Sequence, residues 1–196
     1  GFYLDQRENR ALFGRPPVVS GKRVLNVFAY TGGFAVYAAA AGAGPIMNID
    51  SSIPLLEMAE ENVKQNAADR AVDEYIAGDA FEVLRYLRDE EKRFEIVILD
   101  PPKFAQSRGD VQRASRGYKD LNMLALQLIE EGGVLATFSC SGHIPADLFQ
   151  KILFGAAADA GRDVQILRPL AQGSDHPVLV SFPESAYLKG FLCRVW

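Results

Sequence analysis

The sequence predicts an α/β fold: a mostly parallel sheet with helices on both faces. Three observations lead there. Short apolar runs of strand length recur along the 196 residues. Segments with apolar residues at helical spacing separate them. Gly, Pro, Asp or Ser stands where one kind of segment gives way to the other. Strand and helix in alternation make parallel neighbours, because a parallel pair needs a long crossover and a helix supplies it.

Residues 1–20 read as an N-terminal arm, in which Pro16-Pro17 is expected to break any helix before the first strand; residues 21–196 read as the domain proper. Arg23–Phe28 is the first strand and Gly32–Ala41 its helix. Pro45–Asp50 is the second strand. Ile53–Asn66 carries Leu55, Leu56, Met58, Ala59 and Val63 at helical spacing, with Ser51 or Ser52 as cap. Glu74–Ala77 is a short third strand, and Ala80–Asp89 a helix with Phe81, Val83, Leu84 and Leu87 apolar. The fourth strand is Phe94–Leu99. Gln106–Arg116 lacks apolar periodicity and reads as a mobile loop. Tyr118–Glu131 reads as a helix, with Leu121, Leu124, Ala125 and Leu128 on one face and Gly132-Gly133 as its stop. The fifth strand runs from Gly133 to Cys140. Ala146–Ala160 is a helix, Val164–Leu167 a strand, and Leu188–Val195 the last strand.

Composition narrows the function classes. The chain is 48% hydrophobic and 23% charged, which is ordinary for a globular domain. No apolar run reaches the ~18 residues of a membrane span. Two cysteines form no disulfide framework, which favours a reducing, cytoplasmic setting. Gly1 in place of Met leaves the start open to processing or truncation. A net charge of −4 argues against a strongly basic nucleic-acid coat, so any nucleic-acid contact must come from a local patch or from another domain. His143 and His176 have no cysteine cluster beside them, which argues against zinc.

Two segments carry the chemistry: Asp100-Pro101-Pro102-Lys103-Phe104, and Phe138-Ser139-Cys140-Ser141-Gly142. Each closes an apolar strand. Ligands of open α/β sheets bind at the carboxyl ends of the strands, so a carboxylate and a thiol would face one crevice. A thiolate attacks electron-poor rings, and a carboxylate can hold such a ring in place. Two prolines stiffen the first turn. Cys193, inside an apolar run, reads as a small core residue. Cys140 sits among turn residues, where nearby positive charge from Lys103 would lower its pKa.

Phe28-Ala29-Tyr30-Thr31-Gly32-Gly33-Phe34 is a strand-to-helix turn that lets backbone approach a ligand. Asp50 follows Gly32 by 18 residues, near the spacing of a ribose-binding acid. The G-x-G-x-x-G pattern is absent. Asp79 suits an adenine amino group or, equally, a helix cap.

Taken with Gly1–Arg10 (GFYLDQRENR), Arg116-Gly117-Tyr118-Lys119-Asp120-Leu121-Asn122, Asp175-His176-Pro177 and Tyr187-Leu188-Lys189-Gly190-Phe191, these segments resemble a known family. It is the methyltransferase domain of bacterial large-subunit ribosomal RNA cytosine-C5 methyltransferases, the type with an N-terminal PUA domain. The resemblance implies a Rossmann-like class I fold with seven strands, the last antiparallel. It implies S-adenosylmethionine over the first three strand ends, against Gln6, Arg7, Phe28, Tyr30, Thr31, Gly32, Asp50, Ser51, Asp79, Ala80, Asp100 and Pro101. It makes Cys140 the nucleophile toward cytosine C6 and Asp100 the carboxylate at N3. Pro102, Lys103, Arg108, Arg113, Arg116 and Lys119 are the expected RNA contacts. Ribosomal RNA is the implied partner, with neither membrane nor metal; a homodimer stays open. The PUA domain would precede this chain. Asn26 departs from the acid common at its position.

Three other readings compete. A ring-nitrogen methyltransferase, at guanine N7 for example, shares the turns but needs no thiol. A nicotinamide oxidoreductase fits the fold alone. A non-catalytic RNA-binding module would need neither a cofactor pocket nor Cys140.

Overall fold

The computed structural model describes residues 2–67, 70 and 72–196; Gly1, at the head of the arm motif, lies outside the described residues. The strands are β1 (Val24–Val27), β2 (Ile46–Asp50), β3 (Glu74–Ala77), β4 (Phe94–Leu99), β5 (Ile129–Ser139), β6 (Val164–Ala171) and β7 (Lys189–Val195). The helices are α1 (Arg7–Phe13), α2 (Pro16–Val19), α3 (Gly33–Ala40), α4 (Ile53–Ala67), α5 (Ala80–Asp89), α6 (Val111–Leu128) and α7 (Ala146–Ala160). They build one seven-stranded sheet in the order β3-β2-β1-β4-β5-β7-β6. The first five strands pair in parallel, and β7 runs antiparallel to β5 and β6. The chain steps outward from β1 to β3 and then returns to place β4 on the other side of β1. That reversal opens a crevice at the carboxyl ends of β1 and β4.

The central strands are buried on both faces, which explains their unbroken apolar runs. Leu25, Val27, Val97 and Leu99 join Leu84, Leu121, Leu124 and Phe149 on one face. Val24, Ile96, Ile98 and Phe138 join Phe13, Phe34, Ala35 and Val63 on the other. Each such large side chain contributes roughly 1.5–3 kcal/mol by leaving water. Asn26 pairs with Asn48 inside the sheet, at 2.9 Å between register partners of β1 and β2. Its side chain is therefore committed to the neighbouring strand.

Several expectations change. Pro16 and Pro17 start α2 instead of breaking a helix, because the first helical turn needs no N–H partners. Residues 111–116 of the expected loop are the first turns of α6, not a mobile segment. Ser107 and Asp110 form a reciprocal cap just before it, and Ala114 extends its buried face. The helix ends at Leu128, not Glu131. Gly132-Gly133 lies inside β5, where the register against β4 shifts between Phe94 and Ile96 and Gly132 takes φ +77°. A glycine pair there makes a bulge, because a side chain on Gly133 would meet Ile129 at 2.5 Å. The sixth strand extends to Ala171, and the fifth ends at Ser139, one residue before Cys140. Met58 is 48% exposed, whereas Leu56, Ala59 and Val63 are buried.

The arm is not loose. α1 packs on α3, with Phe13 edge-on to Phe34 at 5.8 Å. Asn9 donates to the Ala171 carbonyl at 2.9 Å, and the Gly173 N–H donates to Asp5 O at 2.9 Å. The arm thus ties onto the far edge of the sheet and brings Gln6 to the crevice.

Candidate active site

The crevice is a cleft of about 570 Å³, a size that suits a nucleoside-bearing ligand. It gathers Gln6, Phe28, Tyr30, Asp50, Ser51, Asp100, Pro101, Pro102, Lys103 and Cys140 from the expected set. Thr31 lines a smaller hollow beside it. The cleft walls do not include Arg7, Gly32, Asp79, Ala80, Arg108, Arg113, Arg116 or Lys119.

On the β1–β2 side the site is made of backbone. Phe28, Tyr30 and Gly32 have φ of 62°, 50° and 78°. Non-glycine residues held in that left-handed region each cost of order 1–3 kcal/mol and cluster at functional sites. Asp50 holds the turn: Oδ2 accepts from the Tyr30 N–H at 2.9 Å and Oδ1 from the Ser52 N–H at 3.0 Å. Each oxygen keeps a lone pair that a ribose hydroxyl could use. Gly32 must be glycine, since a Cβ would sit 2.8 Å from that of Ala59 on α4. Asp79 is engaged as a cap, accepting from Phe81 and Glu82 N–H groups at the start of α5. Arg7 points to Asp175, 3.5 Å away.

On the β4–β5 side the site is made of titratable side chains. Asp100 accepts from Gln6 Nε2 at 3.0 Å, and burial raises its pKa to about 7 despite that bond. Cys140 Sγ lies 4.0 Å from the Pro101 carbonyl. Burial, and then the Asp100 charge, push its thiol above the ordinary value. The cation that opposes this is Lys189 of β7, not Lys103 as expected. Lys189 is 9% exposed, its Nζ donates to the Ser141 carbonyl at 2.6 Å, and burial lowers its pKa to about 8. The sequence did contain a signal: a lysine opening an apolar strand. Its neighbour Tyr187 was also missed; it lines the cleft and donates to Asp5 Oδ2 at 2.7 Å. Ser141 anchors the turn that follows Cys140. Its Oγ meets Tyr118 Oη at 2.9 Å and accepts from the Ala105 N–H at 3.2 Å. The thiol therefore stands on a fixed backbone. Cys193 is fully buried in β7, as expected of a core residue.

The basic residues beyond the cleft divide. Arg108, Arg113 and Arg116 are exposed, with Arg113 paired to Asp110 at 2.7 Å. Lys119 is engaged with Asp159 of α7 at 2.7 Å. Among the described residues no cluster of three or more His, Cys, Asp or Glu could hold a metal, and no helix is long and apolar enough to cross a membrane.

Sheet order, the antiparallel β7 and a cleft at the β1–β4 reversal define a Rossmann-like methyltransferase fold of the class I type. The profile of the S-adenosylmethionine-dependent methyltransferase family matches residues 1–173, and the chain belongs to that family. S-adenosylmethionine is therefore its cofactor. The chain is 54% identical over 196 residues to ribosomal RNA large subunit methyltransferase I of Shewanella amazonensis, covering 49% of that protein. It is 50% identical over 195 residues to the protein of the same name from Escherichia coli strain SMS-3-5, again covering 49%. The chain thus spans about half the length of the curated relatives it matches. Among solved structures, SMU.776 complexed with SAH superposes with a TM-score of 0.87 at 27% identity, covering 98% of this chain and 50% of that one. Trm5b from Pyrococcus abyssi shares the fold, with a TM-score of 0.71 at 19% identity over 100% of this chain and 50% of that one.

Proposed function

We propose that this chain is the catalytic portion of a large-subunit ribosomal RNA methyltransferase that forms 5-methylcytosine. The observation that carries the reading is Cys140 beside Pro101, on the wall of the cleft that also holds Asp100. The names of the 50–54% identical relatives support the RNA substrate. In this reading the relatives' further length includes the PUA domain, which holds RNA upstream of the arm.

Cytosine C5 is a weak nucleophile, so the ring must first be activated. The target base swings out of its RNA into the cleft. The Cys140 thiolate adds to C6, forming an S–C6 bond while the C5=C6 pair shifts toward C5. Asp100, titrating near neutrality, holds a proton at N3, where negative charge would otherwise build up. While Asp100 still carries its proton it does not repel the Cys140 thiolate, although burial, the larger cause, continues to hold the thiol above its ordinary value. When bound, S-adenosylmethionine supplies the electrophilic methyl group that C5 accepts. Tyr30 and Asp50 orient the cofactor at its nucleoside end. Loss of the C5 proton to a base then restores C5=C6 and expels the Cys140 thiolate, and N3 returns its proton to Asp100.

The test is methylation of unmodified large-subunit ribosomal RNA with labelled cofactor, followed by nucleoside analysis. Label in 5-methylcytosine is the expected result. RNA with 5-fluorocytosine at the target should form a covalent complex through Cys140, because fluorine cannot leave as the proton does. Label in a methylated guanine, with no covalent complex, overturns the C5 reading in favour of the ring-nitrogen one.

A further inference from the structure

Arg10 is the least satisfied charged group near the cleft. It is 3% exposed, and among its nitrogens only Nη1 has a hydrogen-bond partner, the Tyr3 carbonyl at 2.7 Å. Nε and Nη2 are buried with none. Among the described residues no carboxylate comes within ion-pair distance of it; its guanidinium lies 4.0 Å from the Phe2 ring centre. A buried cation without an anion is costly unless something fills the place. The place exists. Arg10 lines a hollow of about 30 Å³ that shares Tyr3, Phe28, Tyr30 and Asp100 with the main cleft. That volume holds about two waters, hence a carboxylate but not a sugar or base. Gly33 and Phe34, the first residues of α3, form another wall, where helix N–H groups favour an anion. Gly33 is also a cradle: a Cβ there would stand 3.0 Å from Arg10 Cδ and 3.2 Å from the Phe2 ring. Arg10 supplies the positive wall, and the volume admits a terminal carboxylate but not a phosphodiester held between two sugars.

We propose that Arg10 and the amino end of α3 form the carboxylate subsite of the cofactor cleft, holding the amino-acid end of S-adenosylmethionine. This rests on reading the cleft as the cofactor site, and it shifts the arm's role from Arg7 to Arg10. The test is calorimetry with S-adenosylhomocysteine and its decarboxylated analogue, 5′-(3-aminopropylthio)adenosine. The wild-type chain should prefer the carboxylate-bearing ligand by about 10- to 100-fold, the range for a charge-assisted pair. Arg10→Met should erase that preference while leaving the decarboxylated analogue nearly as tightly bound. Arg10→Lys should restore part of it, and Gly33→Ala should reduce it by crowding the guanidinium. The wild-type comparison needs no variant, so it decides the matter even if Arg10→Met fails to fold. Equal affinity of the wild-type chain for both ligands overturns the subsite, as does Arg10→Met weakening both alike. If neither ligand binds the wild-type chain, the cofactor reading of the cleft falls, and the subsite with it.

Discussion

The two sides of the cleft are built differently. At the ends of β1 and β2, fixed backbone does the work: left-handed Phe28 and Tyr30, glycine at 32, and Asp50 with both oxygens on N–H groups. At the ends of β4 and β5, the work falls to titratable side chains whose properties depend on one another: Asp100, Cys140 and Lys189. Binding a cofactor of constant shape rewards rigidity. Forming and breaking a bond to a base rewards groups whose protonation can change as the partner arrives. The first side should therefore respond to mutation with lower affinity, the second with lower rate and altered pH dependence.

The largest expected effect breaks the reactive side alone. Cys140→Ala should lower methylation by about 10⁴-fold or more, the scale of losing a covalent nucleophile, with cofactor affinity by calorimetry unchanged. Cys193→Ala is the control: activity should persist, with Tm lower by a few degrees for a small core truncation. Next comes the binding side. Asp50→Ala should weaken S-adenosylhomocysteine binding by about 1–3 kcal/mol, because it removes hydrogen bonds and strands their partners. Asp50→Asn, which keeps an acceptor for the turn, should cost less. Equal losses from the two would mean that the turn, not the ribose contact, sets affinity.

A third prediction sharpens the comparison through pH. Alkylation of Cys140 by iodoacetamide should titrate at lower pH in Asp100→Asn, where the neighbouring charge is gone, and at higher pH in Lys189→Met, where the opposing cation is gone. Stability should follow Asp100 as well. Its folded pKa of about 7 lies above the ordinary 3.8, so between those values the folded protein binds more protons than the unfolded one. Stability from this group is therefore present at low pH and lost as pH rises to 7. Asp100→Asn should raise Tm at pH 8 and leave it nearly unchanged at pH 4. The smallest effect concerns the exposed arginines. Neutralising Arg108, Arg113 and Arg116 together should reduce the salt slope of RNA binding by about 0.7–0.9 for each phosphate they neutralise. An unchanged slope would place the RNA elsewhere. Lys119, held by Asp159, should contribute little.

From residue 23 onward the sequence by itself determined the order of strands and helices and the residues that end the strands; the two arm helices, Arg7–Phe13 and Pro16–Val19, were not legible in it. The order and the strand ends are local properties. Apolar periodicity marks Phe94–Leu99 or Ala146–Ala160 without reference to anything distant, and Asp50, Asp100 and Cys140 stand out because turn chemistry follows an apolar run. The misplaced boundaries had local readings too, and there tertiary contacts won. Gly132-Gly133 reads as a helix stop but serves as a bulge against β4, and residues 111–116 read as loop until the Ser107–Asp110 cap and the buried face of Ala114 and Tyr118 are seen. Only the tertiary structure decided which cation faces the thiol. Lys103 is 37 residues from Cys140 and Lys189 is 49, yet β7 runs antiparallel beside β5 and sets Lys189 opposite Ser139. Only it decided that Gln6 reaches Asp100 across 94 residues, and that Arg10, not Arg7, turns inward. Burial and electrostatic coupling depend on what surrounds a group in space, and a pattern read along the chain carries no such distances.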